Sequence, residues 1–262
     1  MALHHIERMV VEVDGEGDPL VLIHGLGGST NTWTPLMPAL ARYRVVRIEL
    51  PGSARSQRAH AIDGSPLSIT RLSDAVLRVC RHLGIERAHF GGHSLGTIVL
   101  MHLAIAQPAL MRSMMWFGPL LAPPDVARAG LRQRAAKARA VGMFGIADQI
   151  VSGVLSPATR EQQPVTVAFV RESLMGQDPE GYALTCEALA EAQAADVAAI
   201  ACPVLLVGGD EDPVAPAQGV RAIASRMPAA RVEVLARCGH WLTAERASEC
   251  RVLAAEFLLR NR

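Results

Sequence analysis

Lysine is nearly missing from this 262-residue chain: Lys137 is the single one, and the remaining basic residues are arginines. Together with the abundance of alanine, this reads as the codon bias of a GC-rich bacterial genome. Charge of one sign is missing too. Twenty-six basic residues face 25 acidic ones for a formal net charge of +1, so the totals carry no footprint of a nucleic acid or an anionic membrane. Cysteine is sparse and scattered. Cys80, Cys186, Cys202, Cys238 and Cys250 form no CxxC pair, which excludes a disulfide framework and a zinc knuckle and leaves them as small buried hydrophobes. No run of 18 apolar residues occurs, and residues 1–12 carry His4, His5, Glu7 and Arg8 in place of an apolar leader. The expectation is a soluble cytoplasmic protein with a small-molecule partner, no nucleic acid and no membrane; monomer and homodimer both stay open.

What the chain does have is apolar mass. Half of its residues are hydrophobic and only 19% are charged, which excludes disorder as the main state and allows one or two domains with a sizeable core. Strand-like and helix-like patterns alternate over the first 118 residues, the signature of βαβ units on a largely parallel sheet. Leu20 to Ile23 is a short aliphatic run closed by Gly25, Gly27 and Gly28, and reads as a strand buried on both faces. A helix is expected near Trp33 to Ala41, a strand from Arg44 to Leu50, and an amphipathic helix through Leu72, Val76, Val79 and Leu83. Ala88 to Gly92 is then a strand, Leu95 to Ala106 a helix apolar nearly all round, and Met111 to Phe117 another strand. Prolines at 119, 123, 124, 157, 164 and 179 punctuate an Ala/Arg-rich stretch without strand runs. Strand-like runs return at Val204 to Val207 and Arg231 to Leu235, followed by a helix near Thr243 to Arg260. The expected organisation is α/β: a mostly parallel central sheet flanked by helices, formed by residues 1–118 and 199–262, with a helical cap inserted at 119–198.

Gly92, His93, Ser94, Leu95 and Gly96 make a G-x-S-x-G between a strand and a buried helix. A sharp strand-to-helix elbow crowds side chains, so it needs small residues, and it lifts the serine hydroxyl above the sheet beside a helix N-terminus. A serine hydroxyl is a weak nucleophile at neutral pH and needs a base and a group that orients the base. Both candidates lie downstream. Asp210, Glu211 and Asp212 follow the strand at Val204 to Val207, at the sheet's carboxyl end; Asp212 is preferred, Asp210 is its rival and Glu211 stands behind both. His240, after Cys238 and Gly239, follows the next strand and is the candidate base. The glycine turn His24-Gly25-Leu26-Gly27-Gly28 allows close backbone approach, so the Leu26 and Leu95 amides are the candidate oxyanion donors.

With HGLGG, ELPGSARS, GHSLG, GGDEDP and CGH in this order, the sequence resembles the α/β-hydrolase superfamily over nearly its whole length. Within it, LVLIHGLGGSTNTW, LGIERAHFGGHSLG, GMFGIADQIV and DPEGYALTCEAL resemble the 3-oxoadipate enol-lactonase group. Pro213 and Pro216 match that family's turn after the acid, favouring Asp212. The resemblance implies a serine hydrolase of an ester or lactone, working through an acyl-enzyme without metal or cofactor. A perhydrolase or haloperoxidase, or a carbon-carbon bond hydrolase, would share the same triad, and a ligand receptor could keep the fold without turnover. A serine at the elbow disfavours the aspartate nucleophile of dehalogenases and epoxide hydrolases.

Three departures stand out. Glu49 replaces the aspartate that usually opens the turn before Ser53 and Ala54, a change expected to alter packing. Met115, Trp116, Phe117, Gly118 and Pro119 form an aromatic strand exit where an enol-lactonase pattern has smaller, more polar residues, which argues against a dicarboxylate substrate. The stretch before Asp14 has room for one strand where the superfamily usually has a hairpin. Trp116, Met143, Phe144 and Trp241 are the candidate pocket walls, and Trp33 is expected in the core. Arginines 128, 132, 134 and 139 read as a solvated helix face. His24 and His93 read as structural, His82, His89 and His102 carry no chemical context, and His4 with His5 could hold adventitious metal at most; no metal site is expected.

Overall fold

Alternation of aliphatic side chains along the strands decides how the sheet is clothed. In the computed structural model, which describes residues 1–59 and 65–262, Leu20 and Leu22 of β3 (Pro19–Ile23) face one layer while Val21 and Ile23 face the other. The same division separates Met115 and Phe117 from Met114 and Trp116 in β6 (Met111–Phe117), and Leu205 and Val207 from Val204 and Leu206 in β7 (Val204–Gly209). Side chains pointing alternately up and down a strand need apolar cover on both faces, which is why these runs are continuously hydrophobic. One layer packs against Trp33, Leu36 and Leu40 and against the C-terminal helix through Ala254, Phe257 and Leu258. The other packs against α1 (Ile69–His82), α2 (Leu95–Ala106) and the helical insertion.

Among the described residues the sheet has eight strands in the order β1-β2-β4-β3-β5-β6-β7-β8, adding β1 (Ala2–Ile6), β2 (Met9–Asp14), β4 (Arg44–Ile48), β5 (Ala88–His93) and β8 (Ala230–Leu235). From β4 to β8 every neighbour is parallel; β1 and β2 are antiparallel. The expectation of a single N-terminal strand is therefore corrected to a hairpin. Glu7 and Arg8 both adopt positive φ, 49° and 67°, so a two-residue turn suffices and 14 residues hold two strands.

Two helices also differ from expectation. The segment expected near Trp33 to Ala41 is a 3-10 stretch at Thr30–Ala39, because Pro35 and Pro38 lack the N–H that an α-helix would use there. The C-terminal helix is broken at Arg246 into α9 (Leu242–Glu245) and α10 (Ala247–Arg260), preceded by α8 (Ala217–Ala224) between β7 and β8.

Between β6 and β7 lie α3 (Asp125–Val141), α4 (Phe144–Val154), α5 (Pro157–Gln162), α6 (Pro164–Met175) and α7 (Pro179–Ala190). The prolines of this stretch begin helices as well as separating them: Pro157, Pro164 and Pro179 each open one, where a missing N–H goes unnoticed. Ser156 and Asp178 cap two of these helices through their side chains. Arg139 of α3 reaches Glu180 at 2.7 Å and also pairs with Glu187, tying α3 to α7. Among the described residues no helix is long and apolar enough to cross a membrane.

Candidate active site

Parallel strands put their carboxyl ends, and the loops that follow, at one edge of the sheet. Ser94 follows β5, Asp212 follows β7 and His240 follows β8, so three residues distant in sequence emerge along one rim. The Leu26 turn follows β3, whose Ile23 is paired with Gly92 of the neighbouring β5, and it therefore stands beside Ser94. Ser94 has φ 51° and ψ −117°, a conformation costing a non-glycine residue about 1–3 kcal/mol. Its surroundings enforce the bend. A Cβ on Gly96 would stand 2.4 Å from the Ile23 carbonyl oxygen, so the helix can approach β3 only without one.

His240 lies between the other two. Its Nε2 is 2.8 Å from Ser94 Oγ and its Nδ1 is 2.7 Å from Asp212 Oδ2. Burial alone would push the Asp212 carboxyl up, but His240 and the amides of Val214 and Ala215, at 2.8 and 2.9 Å, outweigh it and hold the group below the usual carboxylate range. An ionised Asp212 only accepts, so the proton of a neutral His240 sits on Nδ1 and Nε2 is left to accept from the Ser94 hydroxyl. Asp210 does something else: it is exposed and accepts from the Cys238 amide at 3.1 Å. Glu211 is exposed as well.

Two histidines hold the backbone around this trio. His93 donates from Nε2 to the His240 carbonyl at 2.8 Å, and its burial pushes its imidazole down to about 3. His24 accepts from the Leu50 amide at 3.1 Å and donates from Nδ1 to the Gly25 carbonyl at 2.8 Å, fixing the turn that carries Leu26. Burial also lowers the His24 pKa. Glu49, buried, pairs with Arg55 at 2.7 Å, and Arg55 reaches Glu12 at 2.7 Å, so this position anchors the turn to β2. Cys80, Cys186, Cys238 and Cys250 are buried free thiols, pushed up by burial and so poor nucleophiles.

A cavity of about 290 Å³ opens onto Ser94 and His240. Leu26, Leu120, Ile150, Val154, Val214 and Trp241 give it an apolar lining. Of the four expected walls only Trp241 is there. Trp116 is corrected to a core residue: it is fully buried in β6, on the layer covered by α1 and α2. Met143 is buried in that same core cluster, and Phe144, 70% exposed, lies off the Ile146, Ile150 and Val154 stripe that α4 turns inward. The reading of four solvated arginines is corrected at two positions: Arg128 is largely buried and donates to the Ala190 and Ala192 carbonyls at the end of α7, and Arg134 faces the cavity. Arg134 lines the cavity, because it falls on the α3 stripe with Ala127 and Leu131, while Arg132 and Arg139 are exposed and pair with carboxylates. The buried Tyr182 hydroxyl beside Arg134 makes no hydrogen bond of normal geometry.

Residues 18–247 match the family described as alpha/beta hydrolase fold. A dihydrolipoyllysine-residue acetyltransferase component of the acetoin cleaving system of Pseudomonas putida is 31% identical over 95% of this chain, which spans only 66% of that relative's length. The 2-hydroxymuconate semialdehyde hydrolase of Pseudomonas sp. (strain CF600) is 28% identical over 93% of this chain and 88% of its own. The enol-lactonase from Burkholderia xenovorans LB400 superposes with a TM-score of 0.89 at 26% identity, covering 98% of this chain and all of the other. By the span of its match and the topology of its sheet, the chain belongs to the alpha/beta hydrolase fold family.

Proposed function

We propose that this chain is a serine hydrolase that cleaves a carboxylic ester or lactone of a small molecule, with the helical insertion as its cap. The observation that carries this reading is the continuous hydrogen-bonded line from Ser94 Oγ through His240 to Asp212 Oδ2, at 2.8 and 2.7 Å. Ser94 Oγ attacks the substrate carbonyl carbon while its proton passes to His240 Nε2, and Asp212 stabilises the imidazolium. The carbonyl oxygen becomes an oxyanion facing the Leu26 and Leu95 amides, each such donor contributing about 3–4 kcal/mol to barrier lowering. The intermediate collapses, the leaving alcohol takes the proton from Nε2, and an acyl-Ser94 ester remains. Water deprotonated by Nε2 then releases the acid and restores the hydroxyl. No cofactor or metal takes part in these steps.

The cavity supports a substrate with an apolar body, and Arg134 supports an acidic group on it. Among the described residues no carboxylate pairs with Arg134, and a guanidinium facing an apolar cavity is stabilised by an anionic ligand. With Trp116 in the core, the argument from an aromatic strand exit against an acidic substrate no longer bears on the pocket. The test is a panel of simple esters, lactones including the 3-oxoadipate enol-lactone, a carbon-carbon substrate and a peroxide assay, ranked by kcat/KM. Ester or lactone turnover that disappears in Ser94→Ala supports the proposal. A higher rank for the carbon-carbon substrate or the peroxide reaction, or no turnover at all, moves the chain to one of the alternatives.

A further inference from the structure

Glu245 is 97% buried, and the proposed mechanism gives it no part, yet three main-chain amides converge on its carboxylate. Gly239 N–H meets Oε2 at 3.1 Å and Trp241 N–H meets Oε1 at 3.0 Å, so the residues on both sides of His240 are held by one side chain. The third amide comes from elsewhere: Ser156, between α4 and α5 of the insertion, donates to Oε2 at 2.9 Å. His240 joins the same junction directly, donating its own N–H to the Val154 carbonyl at 2.8 Å. The two loops touch so closely that a Cβ on Gly239 would stand 2.3 Å from that carbonyl oxygen. With the carbonyl of His240 held by His93, every main-chain hydrogen bond of the proposed base is assigned.

This junction continues into the cavity. Val154, whose carbonyl anchors His240, also turns its side chain into the lining, one helical turn after Ile150. An occupant that presses on α4 therefore presses on the segment that holds the base.

We propose that Glu245 is a positioning residue that fastens the His240 loop to the 154–156 segment of the insertion, so that the fit of a substrate against Ile150 and Val154 sets the aim of the imidazole. The proposal deepens the hydrolase reading and rests on it. A misaim of about 1 Å at a reacting group can lower a rate by about a hundredfold, whereas binding in the cavity needs no such precision. The loss therefore falls on kcat.

The experiment compares Glu245→Gln, Ser156→Pro and Ser156→Ala with the unaltered protein on p-nitrophenyl acetate and p-nitrophenyl butyrate. Glu245→Gln puts an NH₂ or a single carbonyl where three N–H groups need acceptors. Ser156→Pro breaks the same bond from the insertion's side: Ser156 has φ −60°, which proline adopts, and the ring Cδ takes the place of the N–H, so it removes the donor and pushes the Glu245 carboxylate away from the 154–156 segment. It also removes the hydroxyl that caps α5, and Ser156→Ala, which keeps the N–H, isolates that loss. The expected result is a fall in kcat of about tenfold to a hundredfold in Glu245→Gln and Ser156→Pro, with KM within about threefold, and a clearly smaller loss in Ser156→Ala. A second readout needs no turnover: the low-field proton resonance of the His240 to Asp212 hydrogen bond is expected to broaden or vanish in the first two variants. Equal losses in Ser156→Pro and Ser156→Ala, effects on KM alone, or an unchanged proton resonance overturn the proposal. If the unaltered protein turns over neither ester, the hydrolase reading fails separately, and the proton resonance still decides whether Glu245 positions the imidazole.

Discussion

The His93 ring donates from Nε2 to the main-chain carbonyl of His240 at 2.8 Å, with the two ring centroids 5.1 Å apart. The residue before the elbow serine thus holds the residue that faces that serine. His93→Phe keeps a ring and removes the donor, leaving a buried carbonyl without a partner at a cost of about 1–3 kcal/mol. Urea unfolding is expected to show that loss, and kcat on p-nitrophenyl acetate to fall about tenfold with KM little changed; wild-type values for both would mean that the bond does not matter.

The choice between two carboxylates is open to a direct comparison. Asp212→Asn removes the acceptor that keeps the His240 proton on Nδ1, and kcat is expected to fall by about a thousandfold to ten-thousandfold. Asp210→Asn retains a carbonyl oxygen for the Cys238 amide and is expected to stay within about threefold. The reverse ranking of the two variants in steady-state assays would transfer the orienting role to Asp210.

Arg134 predicts a charge preference. A p-nitrophenyl ester with a terminal carboxylate on its acyl chain is expected to exceed its neutral counterpart of equal length in kcat/KM, and Arg134→Gln to collapse that ratio by about tenfold or more. The ratio is measured on one preparation, so a partly folded variant does not distort it. A ratio unmoved by the substitution would remove the acidic group from the proposed substrate.

How much of this could be read in the sequence follows from how local each feature is. Met111 to Phe117 and Leu95 to Ala106 are the observed spans of β6 and α2, because aliphatic runs and the glycine elbow punctuate the chain within a few residues. Ser94, Asp212 and His240 are legible because each follows a strand run and precedes or follows a glycine or proline turn. The hairpin turn at Glu7 and Arg8 carries no glycine or asparagine to announce its positive φ. Phe144 suits a pocket wall by residue type, yet its place on α4 turns it outward. Arg134 was recoverable from its spacing to Ala127 and Leu131, whereas Glu245 was not, since its three donors lie at positions 156, 239 and 241 and only the fold brings them together.

Acid should unfold the protein through buried histidines. Burial lowers His24, takes His89 to about 4 and takes His93 to about 3, so the folded chain keeps these rings neutral while the unfolded chain protonates them near pH 6.5. As pH falls below 6.5 the unfolded state binds more protons, and stability drops by about 1.4 kcal/mol per pH unit for each such ring. Asp212 acts lower down. Its depressed pKa contributes stability above the unfolded value of about 3.9, which is lost as pH falls through the folded value. Urea midpoints at pH 7, 6 and 5 are expected to fall steeply, and a flat series would show the rings to be protonated in the folded state.

The hydrolase reading is tested most directly by reacting the purified protein with a fluorophosphonate, locating the adduct by mass spectrometry, and measuring p-nitrophenyl acetate turnover beside Ser94→Ala. The account predicts an adduct on Ser94 alone, and the loss of both adduct and turnover in the variant. Turnover that persists in Ser94→Ala, or an adduct on another residue, would contradict it.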